Sequence, residues 1–523
     1  MRLRAFLSGF LAAVAALVLT PSGVSAAGTD PDAGTWQMIV MSGPTQFAVP
    51  APAQISSLDY QAELAAIKKA QTRLTIAQRK AIEYWNRGAI VRWNEILMEL
   101  VARADLPPAP SADGTYPAPD ANNPFADPPF PFANPPYAAR AYSYVAVAQF
   151  EALKAAWYYK HLYNRPSPAK VDSGIRALRP ITDLPAYPSE DAVVSGVTVE
   201  LLKLLFPTSL EQITRKAGEH RQAALLSGRA TASDIAAGLA LGQAIAPLFI
   251  ARARADGMGA AAGTPALWQA LESSARNRGE TPWISLETPP RPPMLPLFAN
   301  VRAWMMTSAD TVRARPGPPP GVSSPLMAAE LAEVRSTVDR LSRQQLAIAY
   351  KWADGLSSPT PPGHWNFIAG PYIVAAQFSE VRAARTLALL NMALHDAAVG
   401  CWDAKFTYFN PRPTQLDPEL KTAVGLPNFP AYTSGHSTFS AAAAEVLSYI
   451  FPNDEAVFDA QKDEAAISRL YGGIHYRADI EVGKDHGKTI GGYTVRFARR
   501  DGADLPWSAA PAPSALATGK KAR

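Results

Sequence analysis

FPAYTSGHSTFSAAAAEVLSYIFP, from Phe429 to Pro452, has a counterpart 245 positions upstream in LPAYPSEDAVVSGVTVELLKLLFP, from Leu184 to Pro207. Pro185, Ala186, Tyr187, Ser189, Ser195, Glu200, Phe206 and Pro207 all recur at that offset. Beyond the window, and without insertion, Arg140 falls on Arg385, Trp157 on Trp402, Lys160 on Lys405, Asp234 on Asp479, Gly238 on Gly483 and Gly242 on Gly487. Farther upstream, Ala81-Ile82 and Trp85 resemble Ala347-Ile348 and Trp352 at slightly larger offsets. An ungapped register that keeps Trp, Tyr, Pro and Gly is the mark of an internal duplication, not of two Ala-rich helices alike by chance. Apolar residues recur at helical spacing over 58–104, as a helix pair, and over 137–159, 190–205, 209–227 and 231–254. No alternating pattern is long enough for a strand. The fold class that follows is all-α, with two related helical bundles packed together.

The 523 residues suffice for two or more domains. Arg2 and Arg4 precede the apolar run Ala5 to Leu19 and a small-residue cleavage site, Val24-Ser25-Ala26. We read residues 1–26 as a signal peptide, because the run is short of the roughly 20 residues that span a bilayer. No later stretch reads as apolar enough to span, so the mature chain is expected to be soluble and exported, periplasmic or extracellular. The degenerate helical bundle is then 58–262, a Pro-rich connector 263–335, the catalytic bundle 336–502 and a disordered tail 503–523. The connector is expected to wrap the bundles through Trp268, Trp283, Leu295, Phe298 and Trp304, with one short helical piece near Asn300 to Met306. The loop at 105–136, rich in Pro, Asn and Asp, is either a lid or a flexible excursion. A net charge of +5 with Lys and Arg spread along the chain gives no nucleic-acid footprint. Cys401, the one cysteine, excludes an internal disulfide and reads as a small buried hydrophobe.

Polar chemistry gathers in three clusters: KFTYFNPRP (405–413), YTSGHSTFS (432–440) and SRLYGGIHYRAD (468–479). Lys405, Arg412 and Arg469 offer positive charge, and Arg adds a planar fork that matches the oxygens of a tetrahedral anion. Ser434 and Gly435 stand before a helical run, where backbone N–H groups favour an anion. His475 and Asp479 are four apart, so on a helix they share a face, and the carboxylate can hold one ring nitrogen and leave the other as nucleophile or ligand. His436 is left for proton transfer. In the first copy Arg412 becomes Ser167, Gly435 Glu190, His436 Asp191, Arg469 Ala224 and His475 Ala230. Two carboxylates there would repel an oxyanion, so only the second copy is expected to be active. A zinc site on His475 and Asp479 would want further His, Cys or carboxylate ligands, whereas the neighbours are Arg and Lys. No divalent metal is expected.

The order K-x6-R-P, S-G-H, S-R-x5-H-x3-D resembles the signature of the vanadium-dependent haloperoxidases and type 2 phosphatidic acid phosphatases, one superfamily. Thr433 stands where the family usually has Pro, and only the approach to the helix is expected to feel it. The resemblance implies that His475 binds the vanadium of vanadate. It implies that Lys405, Arg412, Arg469, Ser434 and Gly435 hold its oxygens, and that His436 is the acid–base group. Hydrogen peroxide and halide are then the substrates. The alternative is a secreted acid phosphatase acting on a phosphate ester through His475, with phosphate in the same pocket. A homodimer is compatible with either. Trp402 and Phe429 resemble aromatics beside the vanadate and the halide. Asp396 is expected to support an active-site Arg, and His395 to be structural. His486, Asp485 and Lys488 read as a solvated helix face, and His161, His220 and His364 as isolated.

Overall fold

The computed structural model describes residues 28–110, 112–113 and 132–503. The expected signal peptide, most of the 105–136 loop and all but the first residue of the expected tail lie outside the described residues. The first copy comprises α1 (Leu58–Gln71), α2 (Ile76–Trp85), α3 (Ala89–Ala104), α4 (Pro135–Tyr163), α5 (Glu190–Leu205), α6 (Leu210–Leu226) and α7 (Ala232–Arg254). The connector holds α8 (Pro265–Asn277) and α9 (Ser308–Ala314). The second copy comprises α10 (Pro325–Asp339), α11 (Arg343–Lys351), α12 (Thr360–Ala375), α13 (Glu380–Tyr408), α14 (Gly435–Ile450), α15 (Glu455–Tyr471) and α16 (Arg477–Ala498). No strand occurs among the described residues, and the protein is all-α.

The duplication is visible in the caps. Thr75 and Gln78 form a capping box at the start of α2, and Ser342 and Gln345 form one at the start of α11. These two helices are 267 positions apart (Ile76 to Arg343), as are α1 and α10 (Leu58 to Pro325), whereas α4 to α7 repeat at 245. The register therefore changes between α2 and α4. The region 58–104 is three helices, not a pair, because the chain breaks at Thr75 and again at Gly88, whose φ of +113° ends α2 from α3. In the connector, Phe298–Asn300 is one 3-10 turn and residues 301–306 are not helical, so the expected piece near 300–306 is replaced by α8 and α9 on either side. α10 runs across residue 335, where the connector was expected to end.

At the centre α4 and α13, each of 29 residues, are buried along most of their length and pack on each other. Each carries the same buried clamp. Arg140 Nε lies 2.7 Å from Asp256 and its Nη2 donates to the Ala253 carbonyl, while Arg385 Nε lies 2.7 Å from Asp501 and its Nη2 donates to the Ala498 carbonyl. Each copy is also strapped by the segment before it. Tyr163 and Tyr187 donate to the carbonyls of Val49 and Pro50, and the matching Tyr408 and Tyr432 to those of Pro316 and Gly317. The connector does wrap the second bundle as expected, with Trp283, Leu295 and Phe298 buried.

The straps explain Asp396. Its carboxylate accepts from the backbone N–H groups of Trp304 and Met305, both at 2.7 Å, as Glu151 at the matching position of α4 accepts from Ile39, Val40 and Met41. Asp396 thus pins a strap and, contrary to expectation, makes no hydrogen bond to an active-site Arg among the described residues. The expectation that no later stretch could span a bilayer is also corrected. Ala232–Ala260 is long and apolar enough by composition, at a mean hydropathy of 1.6. In this fold α7 is instead laid along α5. A side chain at Gly242 would come within 2.4 Å of the Val193 carbonyl, and one at the matching Gly487 of α16 within 2.1 Å of that of Thr438. Only glycine permits so close an approach.

Candidate active site

Lys405 sits in the last turn of α13 and Arg412 just before a single turn of helix, Pro413–Leu416. Ser434 caps α14, its Oγ accepting from the Ser437 N–H. Its own N–H donates to the Asp479 carbonyl at 2.9 Å, so Ser434 has only its hydroxyl to offer an anion, and the free N–H groups of the helix start begin at Gly435. Arg469 ends α15. Gly473, with φ +74°, reverses the chain so that His475 enters the pocket ahead of α16. His475 and Asp479 therefore do not share a helix face. They meet because Asp479 folds back over the N-terminus of α16, accepting from the Tyr476 N–H at 3.1 Å and contacting His475 Nδ1 at 2.9 Å.

The other ring nitrogen of His475, Nε2, lies 3.0 Å from Arg412 Nη1. Arginine only donates, so Nε2 accepts and Nδ1 carries the proton given to Asp479. The imidazole is neutral, and burial, then Arg412, Lys405 and Arg469, hold its pKa well below the usual value. Burial raises Asp479 to about 7. Arg412 also donates to the carbonyls of Phe429 and Ile474. The Lys405 ammonium reaches three carbonyls, Pro430 at 2.8 Å, Ala431 at 3.0 Å and Thr433 at 2.6 Å. The Thr433 carbonyl would serve the lysine equally from a proline, and what the threonine adds is a hydroxyl 3.3 Å from Thr438 Oγ1, in the first turn of α14. Desolvation lowers Lys405 to about 7 and Arg412 and Arg469 to about 10. The Phe429 ring lies 4.9 Å from Lys405 Nζ and 5.2 Å from Arg412 Cζ, and packs on Trp402 at 5.0 Å. It forms the aromatic floor under two cations.

His436 faces a group that sequence reading missed. Its Nε2 lies 3.5 Å from Asp354 Oδ2 and 3.4 Å from Arg469 Nη1. Asp354, in the turn between α11 and α12, also contacts His364 Nδ1 through both oxygens, at 3.0 and 3.2 Å. Burial acts to raise Asp354, but His364 and His436 outweigh it and keep its pKa well below the carboxylate range. Burial and Arg469 lower His436 to about 4. His364 is thus not isolated. Nor is His220, which contacts Asp191 at 2.9 Å and stacks on Trp85. His486 is buried, with neither ring nitrogen hydrogen-bonded, rather than on a solvated face. His395 is buried against the Arg302 carbonyl, a structural role.

The two copies differ in how their cations are satisfied. In the first, Lys160 pairs with Glu190 at 2.7 Å, Arg229 with Glu190, Arg165 with Asp234, and Arg179 with Asp191 at 3.1 Å. Glu190 holds the place of Gly435, so the first copy carries its own anion. In the second copy Lys405, Arg412 and Arg469 are all buried, and among the described residues none has a carboxylate in ion-pair contact. A side chain at Gly435 would meet only Phe439, at 3.8 Å, leaving open the space that a carboxylate fills in the first copy. Three unpaired buried cations, a helix start and an accepting imidazole nitrogen fit a tetrahedral oxyanion such as vanadate.

Residues 456–502, α15 and α16 with the His475 turn between them, match the family model for the VCPO second helical-bundle domain. Over 78% of this chain and 95% of the other, the fold matches the crystal structure of the first bacterial vanadium-dependent iodoperoxidase, with a TM-score of 0.54 and 21% identity. The chain has the vanadium-haloperoxidase fold. A holo-type bacterial vanadium-dependent chloroperoxidase is also similar, with a TM-score of 0.50, 15% identity and coverage of 75% of this chain and 96% of that one. No curated protein matches by sequence. In this haloperoxidase fold the three motif clusters converge on one pocket, whereas Asp354 enters it from outside every motif.

Proposed function

We propose that the chain is a vanadate-dependent haloperoxidase, oxidising halide with hydrogen peroxide at a vanadate held by His475. The observation that supports this best is the set of three buried, unpaired cations around the accepting Nε2 of a neutral imidazole. Buried charges left without a partner are costly, so a pocket that keeps three is built for an anion. When bound, vanadate supplies a centre that activates peroxide for attack by halide without a change of metal oxidation state. His475 would bind through Nε2, releasing the Arg412 N–H that now occupies it, while Asp479 keeps the Nδ1 proton in place. Lys405 would exchange a carbonyl for the anion, as Lys160 divides its contacts between the Pro185 carbonyl and Glu190. Arg469 and the N–H groups from Gly435 onward would hold the remaining oxygens. His436, beside Arg469 and backed by Asp354, would move the proton. Phe429 and Trp402 would keep water from the attacking halide. The fold shared with an iodoperoxidase and a chloroperoxidase supports the reading, and with the leader expected at 1–26 the reaction would run in the periplasm or outside the cell.

One observation favours a second reading, phosphate monoester hydrolysis: His475 is neutral with its lone pair on Nε2, a nucleophile once the Arg412 N–H is released from it. Nε2 would bond to phosphorus as the bond to the leaving alkoxide breaks, His436 would protonate that alkoxide, and water would then cleave the phosphohistidine. The test is to load apoprotein with orthovanadate and assay bromide- and iodide-dependent peroxidase activity, with ester hydrolysis by the apoprotein in parallel. Halide oxidation that phosphate suppresses supports the first reading. Ester turnover with no halide oxidation replaces it with the second.

A further inference from the structure

His364 lies outside every motif, yet its imidazole is aimed at the carboxylate that backs the acid–base histidine. Its Nδ1 contacts both oxygens of Asp354, and its ring stacks on Trp352 with centroids 4.2 Å apart and planes 18° from parallel. Trp352 is itself fixed, buried and donating from Nε1 to Glu464 at 2.8 Å. A carboxylate held by one donor across both oxygens cannot turn freely, and Oδ2 is left facing His436 Nε2 at 3.5 Å. That nitrogen is also 3.4 Å from Arg469 Nη1. Arg469 can only donate and Asp354, ionised, can only accept. The His436 nitrogen thus sits between a group that favours its lone pair and one that favours its N–H.

We propose that His364 is a positioning residue that keeps the Asp354 carboxylate turned toward His436, so that His436 can carry a proton at Nε2 instead of ceding Asp354 to Arg469. The proposal rests on His436 as the acid–base group, which both functional readings share. Without the His364 N–H, the carboxylate is free to rotate onto the Arg469 guanidinium, the stronger and permanently charged partner. His436 would then face Arg469 uncompensated, and its protonated form would be disfavoured. The charged and titratable groups around the pair are Arg469 from α15, Asp354 from the α11–α12 turn, His475 across the pocket, and Glu464 with its partner Lys351 beyond Trp352. Asp354 already works to raise His436 against burial and Arg469, so its loss moves that value further down.

A histidine stacked on a tryptophan and paired with a carboxylate also occurs in the first copy, as His220, Trp85 and Asp191. The pairing is therefore also a device of the scaffold, and the test needs a readout that scaffolding alone would not move. We would titrate the full-length protein labelled with 15N-histidine, assigning His436 by its substitution, in the wild type, His364→Phe and His364→Asn. Phe keeps the stack and removes the donor, and Asn keeps a donor near the Nδ1 position. The expected result is that His436 titrates at least one pH unit lower in His364→Phe, a tenfold or greater loss of its protonated form at a given pH, and near the wild-type value in His364→Asn. An unchanged His436 titration in His364→Phe overturns the proposal. Should that variant fail to fold, the wild-type spectrum still decides: a His364 ring protonated at Nε2 and bare at Nδ1 cannot donate to Asp354, and the proposal falls. Both readouts stand even if neither halide oxidation nor ester hydrolysis is found. Where activity is found, the low-pH limb of the rate profile should shift in His364→Phe and be restored in His364→Asn.

Discussion

Replacing Glu190 by glycine should open an anion site in the first copy. Glu190 stands where the second copy has Gly435, and its carboxylate is held by Lys160 at 2.7 Å and by Arg229. Lys160 is fully buried, and its other acceptor is the Pro185 carbonyl. Removing one partner of a buried ion pair costs about 3–5 kcal/mol, because the remaining charge stays buried and uncompensated. Glycine at the first position of α5 adds little to that cost. The emptied space would lie between Lys160, Arg229 and the start of α5, with Asp191 still held by Arg179. Sulfate, a tetrahedral anion whose charge is constant across neutral pH, is the probe. At a hundred times its dissociation constant it should restore about 2.7 kcal/mol. The assay is unfolding of wild type and Glu190→Gly in chloride and in sulfate. Calorimetric stoichiometry should rise by one site. The second copy responds to sulfate in both proteins, so the informative quantity is the variant's extra gain. No destabilisation in chloride, or no extra gain in sulfate, would refute the view that Glu190 is a built-in anion. Turnover should not appear with the new site, since Ala224 and Ala230 stand where Arg469 and His475 are needed.

His475→Ala should abolish both turnover and vanadate retention, measured by activity and by metal content after desalting, and adding Asp191→His should restore neither; an active double variant would contradict a single functional site. Phe429→Ala should lose bromide oxidation while vanadate stays bound, because the ring supplies packing and water exclusion rather than a ligand; an equal loss of vanadate would place the ring's role in holding the cations. The buried His486, with its pKa lowered to about 4 by burial, should make the protein acid-sensitive. The unfolded chain takes up that proton below its ordinary value of 6.5 and the folded one does not, so stability falls as pH drops from 6.5 toward 4. Between pH 7 and pH 5 this single group accounts for about 2 kcal/mol. His486→Leu should therefore lose that much less than wild type over the same interval in denaturant unfolding, and equal losses would count against it.

What the chain declares in its own order is whatever depends on near neighbours. The register at 245 and the helices read at 190–205, 209–227 and 231–254 are found as Glu190–Leu205, Leu210–Leu226 and Ala232–Arg254, because periodicity and caps act within a turn or two. The pocket residues Lys405, Arg412, Ser434, Gly435, His436, Arg469, His475 and Asp479 were legible for a similar reason, each cluster being short and its spacing set by local backbone. Asp354 and His364 were not legible, since nothing beside them in sequence marks them. Asp354 meets His436 only because α12 folds back to bring the α11–α12 turn over the start of α14. Asp396 looked like pocket chemistry and proved to pin a strap, a role that needs Trp304 and Met305 brought against α13. The first copy looked merely emptied, yet Arg179 and Arg229 come from positions that match no pocket residue and satisfy Glu190 and Asp191. Tertiary structure alone decides such matters. Whether a charge is paired, and how far burial shifts it, depends on which distant segments exclude water from it.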